Sequence, residues 1–304
     1  MMDDLLNRQN KDGGWSYRPG GASWTEPTCY SMLALLAAGQ PLEDENVRRA
    51  AGWLGSRQNA DGGWSPQAGV TESTWVTALV LLLPPELRPP DGVPPIDMPR
   101  AESWVRGQTG RESGFLFQLR LRLLGAQVDP AQAFDGWPWF PGAAAWVAPT
   151  AVSILALEKL QRRAQAANPS PNPNPNKDLE QRLQQGRAYL LARRCKDGGW
   201  NHGSTRALGY DSDSYPETTG LALLALHGAA AGSDPAQLAG ALESARRHLA
   251  NCDSLEAASW LTLALVAHGE KPSAPQQAAH GGTNEIALAV IAAEALRGRN
   301  VFVS

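Results

Sequence analysis

The sequence predicts an all-α fold in which buried inner helices alternate with half-exposed outer helices. Two observations lead to this prediction. The tetrapeptide Asp-Gly-Gly-Trp occurs at residues 12–15, 61–64 and 197–200, with a looser Asp-Gly-Trp at residues 135–137, which indicates a repeated supersecondary unit. After a short variable loop, each copy is followed by an apolar run rich in Ala and Leu. Helices that are apolar nearly all round are buried on more than one side, so these runs predict the inner layer.

Each predicted unit consists of an outer helix, a Gly-rich turn and an inner helix, so the helices form two concentric layers. The inner helices are predicted at residues 28–38, 74–83, 150–160, 219–227, 254–267 and 284–296. The outer helices, polar on one face, are predicted at residues 43–58, 100–108, 179–195 and 235–251, preceded by a short first helix at residues 3–9. Residues 100–125 are interpreted as a degraded copy, with Ser113-Gly114-Phe115 in place of Gly-Gly-Trp.

The Asp-Gly-Gly-Trp turn is expected to have a structural role. Its glycines allow the left-handed backbone angles that end an outer helix, and its aspartate can accept hydrogen bonds from turn amides. The tryptophan is then expected to fill the gap between neighbouring helical hairpins. Trp24 follows Trp15 by nine residues, as Trp146 follows Trp137, and both pairs lead into Pro-Thr. This matched spacing indicates that the copies share one geometry.

The composition is that of a globular protein. The chain of 304 residues is 43% apolar, which is enough for a sizeable core, and we expect a single domain over residues 1–304. A Pro- and Asn-rich stretch at residues 168–177 is expected to be a disordered loop inserted in this domain, and seven prolines at residues 83–99 indicate a stiff surface connection. A net charge of −3 with dispersed Lys and Arg argues against nucleic acid as a partner.

The sequence favours a cytoplasmic location. Residues 1–4 are not followed by an apolar segment, so no secretory signal is expected, and no apolar run is long enough to cross a bilayer. Cys29, Cys195 and Cys252 are too few and too widely separated for a disulfide framework and suit a reducing compartment. An apolar lipid ligand, considered below, would be compatible with peripheral contact with a membrane.

Two copies of the repeat have the form Gln-x-x-x-Gly-x-Trp after an amphipathic helix, at residues 9–15 and 58–64. This is the QW motif, and in the copy at residues 197–200 Cys195 or a neighbouring Arg stands where Gln would be. Over nearly the whole chain, the pattern resembles the squalene–hopene cyclase and protein prenyltransferase superfamily. The resemblance implies a closed α/α toroid of about six helical hairpins. It is less specific for activity, because function depends on a site and not on a fold.

The first chemistry implied by the resemblance is that of class II terpenoid cyclases. These enzymes protonate an alkene or epoxide with the middle Asp of an Asp-x-Asp-Asp motif at the start of an inner helix, in an aromatic-lined cavity. In this chain the corresponding register places Glu217 on the proton donor, Tyr215 on the first Asp and Thr218 on the last. Asp211 and Asp213 lie just upstream, out of register, and are the candidates to assist Glu217. Such a donor must be a neutral carboxyl in a dry site.

Glu217 has a second interpretation, as part of a helix cap. Residues 214–217 have capping-box spacing with proline in the first turn, and residues 23–26 have the same spacing. Glu26, Glu72 and Glu217 are aligned to matched positions, so capping would explain all three. A helix N-terminus also stabilises the carboxylate anion, which disfavours a proton donor. The alternative is that these glutamates contact a ligand as well, because inner-helix starts open at one mouth of a toroid.

The second chemistry implied by the resemblance is zinc-dependent protein prenylation, in which Asp, Cys and His hold the metal. Residues 29–31, Cys-Tyr-Ser, are similar to part of that site. However, Pro27 stands where the ligand Asp would be, and no His begins a late inner helix in the required way. Because a metal site needs its full ligand set, no metal or other cofactor is expected, and Cys29 is interpreted as a core residue.

Aromatic side chains near the predicted inner-helix starts are candidates either to line a cavity or to pack in the core, and the sequence does not separate these roles. In a cavity their faces would stabilise carbocations by cation–π attraction. With two of the matched glutamates, they form the set of candidate substrate-binding residues: Trp24, Glu26, Tyr30, Glu72, Trp75, Trp146 and Tyr215.

With the resemblance, these residues predict a terpenoid-cyclase-like protein that binds an isoprenoid or similar apolar lipid in a central cavity. Glu217, assisted by Asp213 or Asp211, would be the acid of a cyclisation. One alternative is a non-catalytic toroid that binds a lipid or a protein, which the missing Asp-x-Asp-Asp favours. A second is a prenyltransferase β-subunit-like protein, which would need zinc and an α-subunit partner. An aromatic-lined cavity would favour the enzyme, and inner helices packed shut by Leu would favour the scaffold.

Overall fold

The computed structural model describes residues 1–113, 123, 134–167, 177–207, 210–227, 236–275 and 281–303, and these are mostly helical. Inner and outer helices alternate along most of this part of the chain, close to the predicted ranges. In chain order the helices are α1 (Met2–Asn7), α2 (Thr25–Ala37), α3 (Glu45–Gly55), α4 (Val76–Leu81), α5 (Met98–Gly107), α6 (Val147–Ala167), α7 (Lys177–Ala192), α8 (Pro216–Ala225), α9 (Ala236–Ala250), α10 (Leu255–Ala267) and α11 (Thr283–Leu296).

The inner helices form a closed ring. Each contacts the next, from α2 through α4, α6, α8 and α10 to α11, and α11 returns to contact α2. The remaining helices pack against this ring: α3 on α2, α5 on α4, α7 on α6, α9 on α8 and α10, and α1 on α11. The predicted all-α fold with an inner and an outer helix layer is therefore confirmed, and this ring of contacts is the one that an α/α toroid requires.

In four copies of the repeat, the tryptophan joins an outer helix to the following inner helix. Trp64 is fully buried; its indole Nε1 donates to the carbonyl of Leu54 in α3 at 2.9 Å, and its backbone N–H donates to Oγ1 of Thr77 in α4 at 2.9 Å. The same two hydrogen bonds are made by Trp15 with Leu5 and Thr28, by Trp137 with Val105 and Thr150, and by Trp200 with Leu190 and Thr219. Thr28, Thr77, Thr150 and Thr219 are called the clamp threonines below.

The turn before the tryptophan has the backbone conformation that glycine permits. Gly62 has a φ of +95°, and a Cβ at this position would lie 2.8 Å from the carbonyl oxygen of Arg100. A side chain is therefore excluded both by backbone strain and by the neighbouring helix. Asp61 Oδ1 accepts a hydrogen bond from the amide of Gly63 at 3.0 Å, as expected for this turn.

The interpretation of residues 100–125 as a separate degraded copy is wrong. Trp137 takes its carbonyl acceptor, Val105, from α5, so α5 and α6 belong to one unit whose turn carries a long insertion. The insertion hid this relation, since Trp137 lies 32 residues after its acceptor, whereas Trp64 lies 10 residues after Leu54. Most of the insertion lies outside the described residues. So does the predicted loop at residues 168–177, except Lys177, which begins α7.

Two short hairpins lie between turns and inner helices. β1 (Trp137–Pro138) pairs with β2 (Ala145–Trp146), and β3 (Arg206–Ala207) pairs with β4 (Tyr210–Asp211), both antiparallel. Trp137 pairs with Trp146 in the first of these, as Trp15 bridges to Trp24. The matched nine-residue spacing therefore arises from a shared antiparallel bridge. Among the described helices, none has the length and apolar content needed to span a membrane.

The segment after α11 connects the carboxyl ends of three inner helices. Arg299 Nε donates to the carbonyl of Ala37 at the end of α2 at 3.1 Å, and Asn300 Nδ2 donates to the carbonyl of Leu263 in α10 at 3.5 Å. Lys159 of α6 donates to the carbonyl of Val301. Phe302 is fully buried beneath these contacts. This end of the ring is therefore packed by the chain itself.

Candidate functional site

The starts of the inner helices surround a cavity of about 330 Å³, called the central cavity here. Three glutamates and four large aromatic residues face it, and the described residues that line it include no lysine or arginine. Its walls are formed by Glu26 and Tyr30 of α2, Trp75 before α4, Trp139, Ala148 of α6, His202, Glu217, Thr218 and Leu221 of α8, and Glu256 and Trp260 of α10.

The register of the inner helices explains which residues line the central cavity. The residues two positions before the four clamp threonines are Glu26, Trp75, Ala148 and Glu217, and all four line the cavity. Each clamp threonine accepts a hydrogen bond from a turn that packs on the outer layer. Because an α-helix turns by about 100° per residue, two positions reverse the direction of the side chain. These residues therefore face the interior of the ring.

Glu26 is held in place by hydrogen bonds from two sides. The hydroxyl of Tyr17 donates to its Oε2, and Nδ2 of Asn284 in α11 donates to its Oε1 at 3.1 Å. Burial raises the pKa of Glu26, and the two hydrogen bonds oppose this rise. The protein therefore fixes the orientation of this carboxyl group.

Glu256 is the cavity carboxyl whose ionisation changes near neutral pH. Burial raises its pKa from 4.5 to about 7, with further increases from the charges of Glu26, Glu285 and Glu217, while a hydrogen bond from Trp260 acts in the opposite direction. Although a helix N-terminus favours the anion, burial and repulsion outweigh it here. Near neutral pH the neutral form of Glu256 is therefore populated together with the carboxylate.

Aromatic rings form the apolar walls of the central cavity. Trp75 and Trp139 meet edge to face with ring centroids 4.8 Å apart, and Tyr30 and Trp260 do so at 5.9 Å. Such pairs fix each other's orientation and present ring faces with negative partial charge to a ligand. The structure thus places Tyr30 and Trp75, two of the candidates from the sequence, in the cavity.

A second pocket of about 540 Å³, called the outer pocket, adjoins the central cavity. Trp146 and Tyr215 line it together with His202. The ring of His202 lies 6.0 Å from that of Trp146 and 5.2 Å from that of Tyr215, and His202 also borders the central cavity. Trp146 and Tyr215 are therefore brought together, but in the outer pocket and not in the central one.

The two aspartates expected to assist Glu217 do not line the central cavity with it. Asp211 is exposed on β4, where it forms ion pairs with Lys196 at 3.4 Å and Arg206 at 3.7 Å. Asp213 is also exposed, and its backbone carbonyl accepts a hydrogen bond from Asn201 Nδ2 at 3.3 Å. Neither aspartate lines the central cavity or the outer pocket.

Trp24 and Glu72 also lie outside both pockets. Trp24 makes an edge-to-face contact with Tyr17, with ring centroids 5.3 Å apart. Glu72 is exposed in the turn before α4. The sequence alignment of Glu72 with Glu26 was wrong, because the clamp threonine of that copy is Thr77 and the residue two positions before it is Trp75.

The capping-box interpretation of Glu26 and Glu217 is also wrong. The residues that cap α2 and α8 are Trp24 and Tyr215, and neither side chain makes a capping hydrogen bond. The serines expected to cap, Ser23 and Ser214, instead donate to Asp12 and Asp197 of the preceding turns, each at 2.7 Å.

A capping role of this kind occurs in α11, where Glu285 Oε2 accepts from the amide of Gly282 at 2.7 Å. By contrast, capping of this kind does not account for Glu26 and Glu217 in the central cavity.

The residues do not fit a zinc site of the prenyltransferase type. Cys29 is fully buried in the core, and burial raises the pKa of its thiol, which disfavours the thiolate that a metal requires. In the part of the chain that the structure describes, no three His, Cys, Asp or Glu side chains are grouped to hold a metal ion.

Among the titratable and aromatic residues of the central cavity, sequence reasoning missed Trp139, His202, Glu256 and Trp260. Glu256 could have been found, because it is the second residue of α10, as Glu26 and Glu217 are the second residues of α2 and α8. Trp260 follows it by one helical turn. Trp139 and His202 lie in turns, where no periodic pattern predicts the direction of a side chain.

Comparison with protein families agrees with this architecture. Residues 1–77 match the model of the squalene-hopene cyclase C-terminal domain. This segment contains two copies of the repeat and ends at the clamp threonine of α4. Residues 1–77 are thus similar to the squalene-hopene cyclase-like members of the terpenoid cyclase superfamily. No curated protein matched the chain.

Proposed function

We propose that this protein binds an isoprenoid or a similar apolar lipid in the central cavity and cyclises it by acid catalysis. The observation that carries the proposal is the grouping of Glu26, Glu217 and Glu256 with aromatic walls in one cavity among the inner-helix starts. Carboxyl groups can supply a proton, and aromatic faces stabilise the cation that results. At about 330 Å³ the cavity is near the lower limit for ligand sites, so on its own it accommodates only a short part of a ligand.

Glu256 or Glu217 would donate the proton in this proposal. Transfer of the carboxyl proton to one carbon of a double bond leaves a carboxylate and a carbocation. Attack by a second double bond forms the ring, and loss of a proton from the cyclic cation restores the acid, so the overall reaction is an isomerisation. Glu217 occupies the family register of the donor, whereas Glu256 has the pKa of about 7 that keeps a carboxyl partly neutral. Glu26, held by Tyr17 and Asn284, would be a carboxyl group of fixed orientation in the cavity wall.

The test is lipid extraction and native mass spectrometry of the purified wild type and of the Glu217→Gln, Glu256→Gln and Glu72→Gln variants. Glu72 is the matched control, because it is an exposed glutamate outside the cavity. We expect linear and cyclised isoprenoid in the wild type and the control. The donor variant should retain the linear form and lose cyclisation by about 10²–10⁴-fold. If Glu256 is the donor, the wild-type rate falls as pH rises through about 7.

Absence of any isoprenoid from all four proteins would overturn the proposal. Linear isoprenoid in all four, without a cyclic product, would favour the second candidate function, a lipid-binding protein without catalysis. One observation supports that candidate: Asp211 and Asp213 are exposed and outside the cavity, so neither shares the cavity with Glu217 as the aspartates of the cyclase motif would. The prenyltransferase alternative is not proposed, because the described residues offer no zinc ligand set.

A further inference from the structure

The central cavity and the outer pocket meet at one side chain. Of the described residues, His202 borders both. The outer pocket has about 540 Å³ of space, and the aromatic rings of Trp146 and Tyr215 in its lining both lie near the ring of His202. An elongated molecule that enters the central cavity past His202 would therefore extend into the outer pocket.

The outer pocket depends on a difference between copies of the repeat. Tyr215 follows Trp200 by fifteen residues, whereas Trp24 follows Trp15 by nine. The backbone N–H of Tyr215 donates to the carbonyl of Trp200, and that of Trp24 donates to the carbonyl of Trp15, both at 2.8 Å. The six additional residues after Trp200 therefore lengthen the loop between two backbone positions that are paired in the same way in both copies. Asn201, His202, Gly203, Ser204 and Ser212 of this loop line the outer pocket. The longer loop, which follows Trp200, thus forms one wall of the outer pocket.

Local hydrogen bonds hold this wall in position. Asn201 Oδ1 accepts from the amides of Gly203 at 3.0 Å and Ser204 at 3.1 Å. Arg193 Nη1 donates to the carbonyl of Gly203 at 2.7 Å, and the amide of Val147 donates to the carbonyl of His202 at 3.1 Å. The loop is therefore tied to Arg193, directly after α7, and to the start of α6.

Two side chains in the outer pocket are more exposed than their type usually is. Trp146 is 39% exposed and Tyr215 is 45% exposed. Their counterpart in the first copy, Trp24, is covered by an edge contact with Tyr17. Exposed aromatic area in a pocket is the kind of surface that an apolar ligand covers.

We propose that the outer pocket is a second binding subsite, in which Trp146 and Tyr215 hold the distal end of the same isoprenoid-like ligand whose reacting end lies in the central cavity. This inference rests on the proposed function and assigns the ligand an elongated apolar chain that is longer than the central cavity alone accommodates. The outer pocket then determines chain-length specificity, because each further apolar group buried there adds to the affinity.

The test is a fluorescence titration of the intrinsic tryptophans with geraniol, farnesol and geranylgeraniol, which have ten, fifteen and twenty carbons. In the wild type, the dissociation constant of geraniol should exceed that of geranylgeraniol by at least about tenfold. Trp146→Ala and Tyr215→Ala should each lower the ratio of the geraniol to the geranylgeraniol dissociation constant several-fold. The double variant should bring this ratio to about one. Phe140→Ala is the control: Phe140 is 50% exposed, lies between β1 and β2, and borders neither pocket, so the ratio should not change.

Binding of all three alcohols with equal affinity by the wild type would overturn the subsite and leave the proposed function intact. Equal loss of affinity for every chain length in both variants would also overturn it, because that result indicates a general disturbance of the site. Failure of the wild type to bind any of the alcohols would overturn both the subsite and the proposed function. Circular dichroism melting of each variant shows whether it is folded before it is titrated.

Discussion

At the scale of single residues, the aspartate of each Asp-Gly-Gly-Trp turn organises more of the structure than its local sequence suggests. Asp61 Oδ1 accepts from the amide of Gly63 at 3.0 Å and from the hydroxyl of Ser73 at 2.7 Å, and its Oδ2 accepts from Trp104 Nε1 of the next outer helix at 3.0 Å. Asp12 has the same three kinds of partner in the first copy, including Trp53 Nε1 at 2.9 Å. This side chain therefore joins a turn to the next outer helix of the repeat.

Asp61→Ala is expected to lower the free energy of unfolding by about 1–3 kcal/mol, because three donors lose a charged acceptor at once. Urea denaturation monitored by circular dichroism measures this change. Asp91→Ala is the control, because Asp91 is an exposed aspartate in the connection before α5, and its effect should stay within about 0.5 kcal/mol. An equal effect of the two substitutions would contradict the assigned role of Asp61.

At the scale of elements, three of the inner helices have a glutamate near their first residue and buried apolar residues along their length. Glu26, Glu217 and Glu256 each occupy the second residue of a helix, in α2, α8 and α10. The partial positive charge of a helix N-terminus favours the ionised form of a carboxyl. Burial and mutual repulsion act against it, and the raised pKa values of Glu26 and Glu256 indicate that burial has the larger effect.

This arrangement predicts a pH-dependent stability. The pKa of Glu256 is about 7 in the folded protein and near 4.5 when it is unperturbed, so between these pH values the folded state binds more protons than the unfolded state. Stability is therefore lost as pH rises from about 4.5 to about 7. The raised pKa of Glu26 acts in the same direction.

Thermal melting between pH 4.5 and pH 8 measures this dependence. Because other groups titrate as well, the informative quantity is the difference between the wild type and Glu256→Gln. We expect the variant to lose less stability than the wild type over this range. Glu72→Gln, an exposed and otherwise matched substitution, should keep the wild-type slope. Parallel curves for the wild type and Glu256→Gln would argue against a raised pKa at Glu256.

At the scale of the whole molecule, the ring has a site at one end and chain packing at the other. The helix starts surround the central cavity, whereas residues 299–303 connect the carboxyl ends of α2, α6 and α10. Phe302 links the two regions, since its ring lies 5.4 Å from that of Trp260, which also borders the cavity. The wall of the site is therefore supported from the opposite end of the ring.

Phe302→Ala is expected to lower the free energy of unfolding by about 3–5 kcal/mol, as for other fully buried aromatic residues, and to weaken geraniol binding because Trp260 loses its support. Chemical denaturation and fluorescence titration measure the two effects. Phe302→Leu, which restores most of the volume, should recover both in large part. A destabilised Phe302→Ala protein with unchanged geraniol affinity would refute the connection between this residue and the cavity.

The sequence by itself determined the repeat, the two helix layers and the structural role of the Asp-Gly-Gly-Trp turn. These features depend on local rules, namely helical periodicity, glycine at left-handed backbone angles and the burial of apolar runs. The same rules placed Glu26, Tyr30, Trp75 and Glu217 near the inner-helix starts, where the structure has them in the central cavity.

Only the tertiary structure decided which residues share a pocket. The register of an inner helix is set by the hydrogen bond between a turn tryptophan and a clamp threonine. In α4 the clamp threonine is Thr77, and this register places Trp75 in the central cavity, where the sequence had predicted Glu72. Glu256 and His202 join the site from distant parts of the chain, because the ring brings α10 and a lengthened loop beside α2 and α8. The pKa of Glu256 likewise depends on burial and on carboxyl groups from other helices. Such neighbours are set by ring closure over long sequence separations, so a local pattern can place Glu256 at a helix start but cannot show which side chains of other helices it meets.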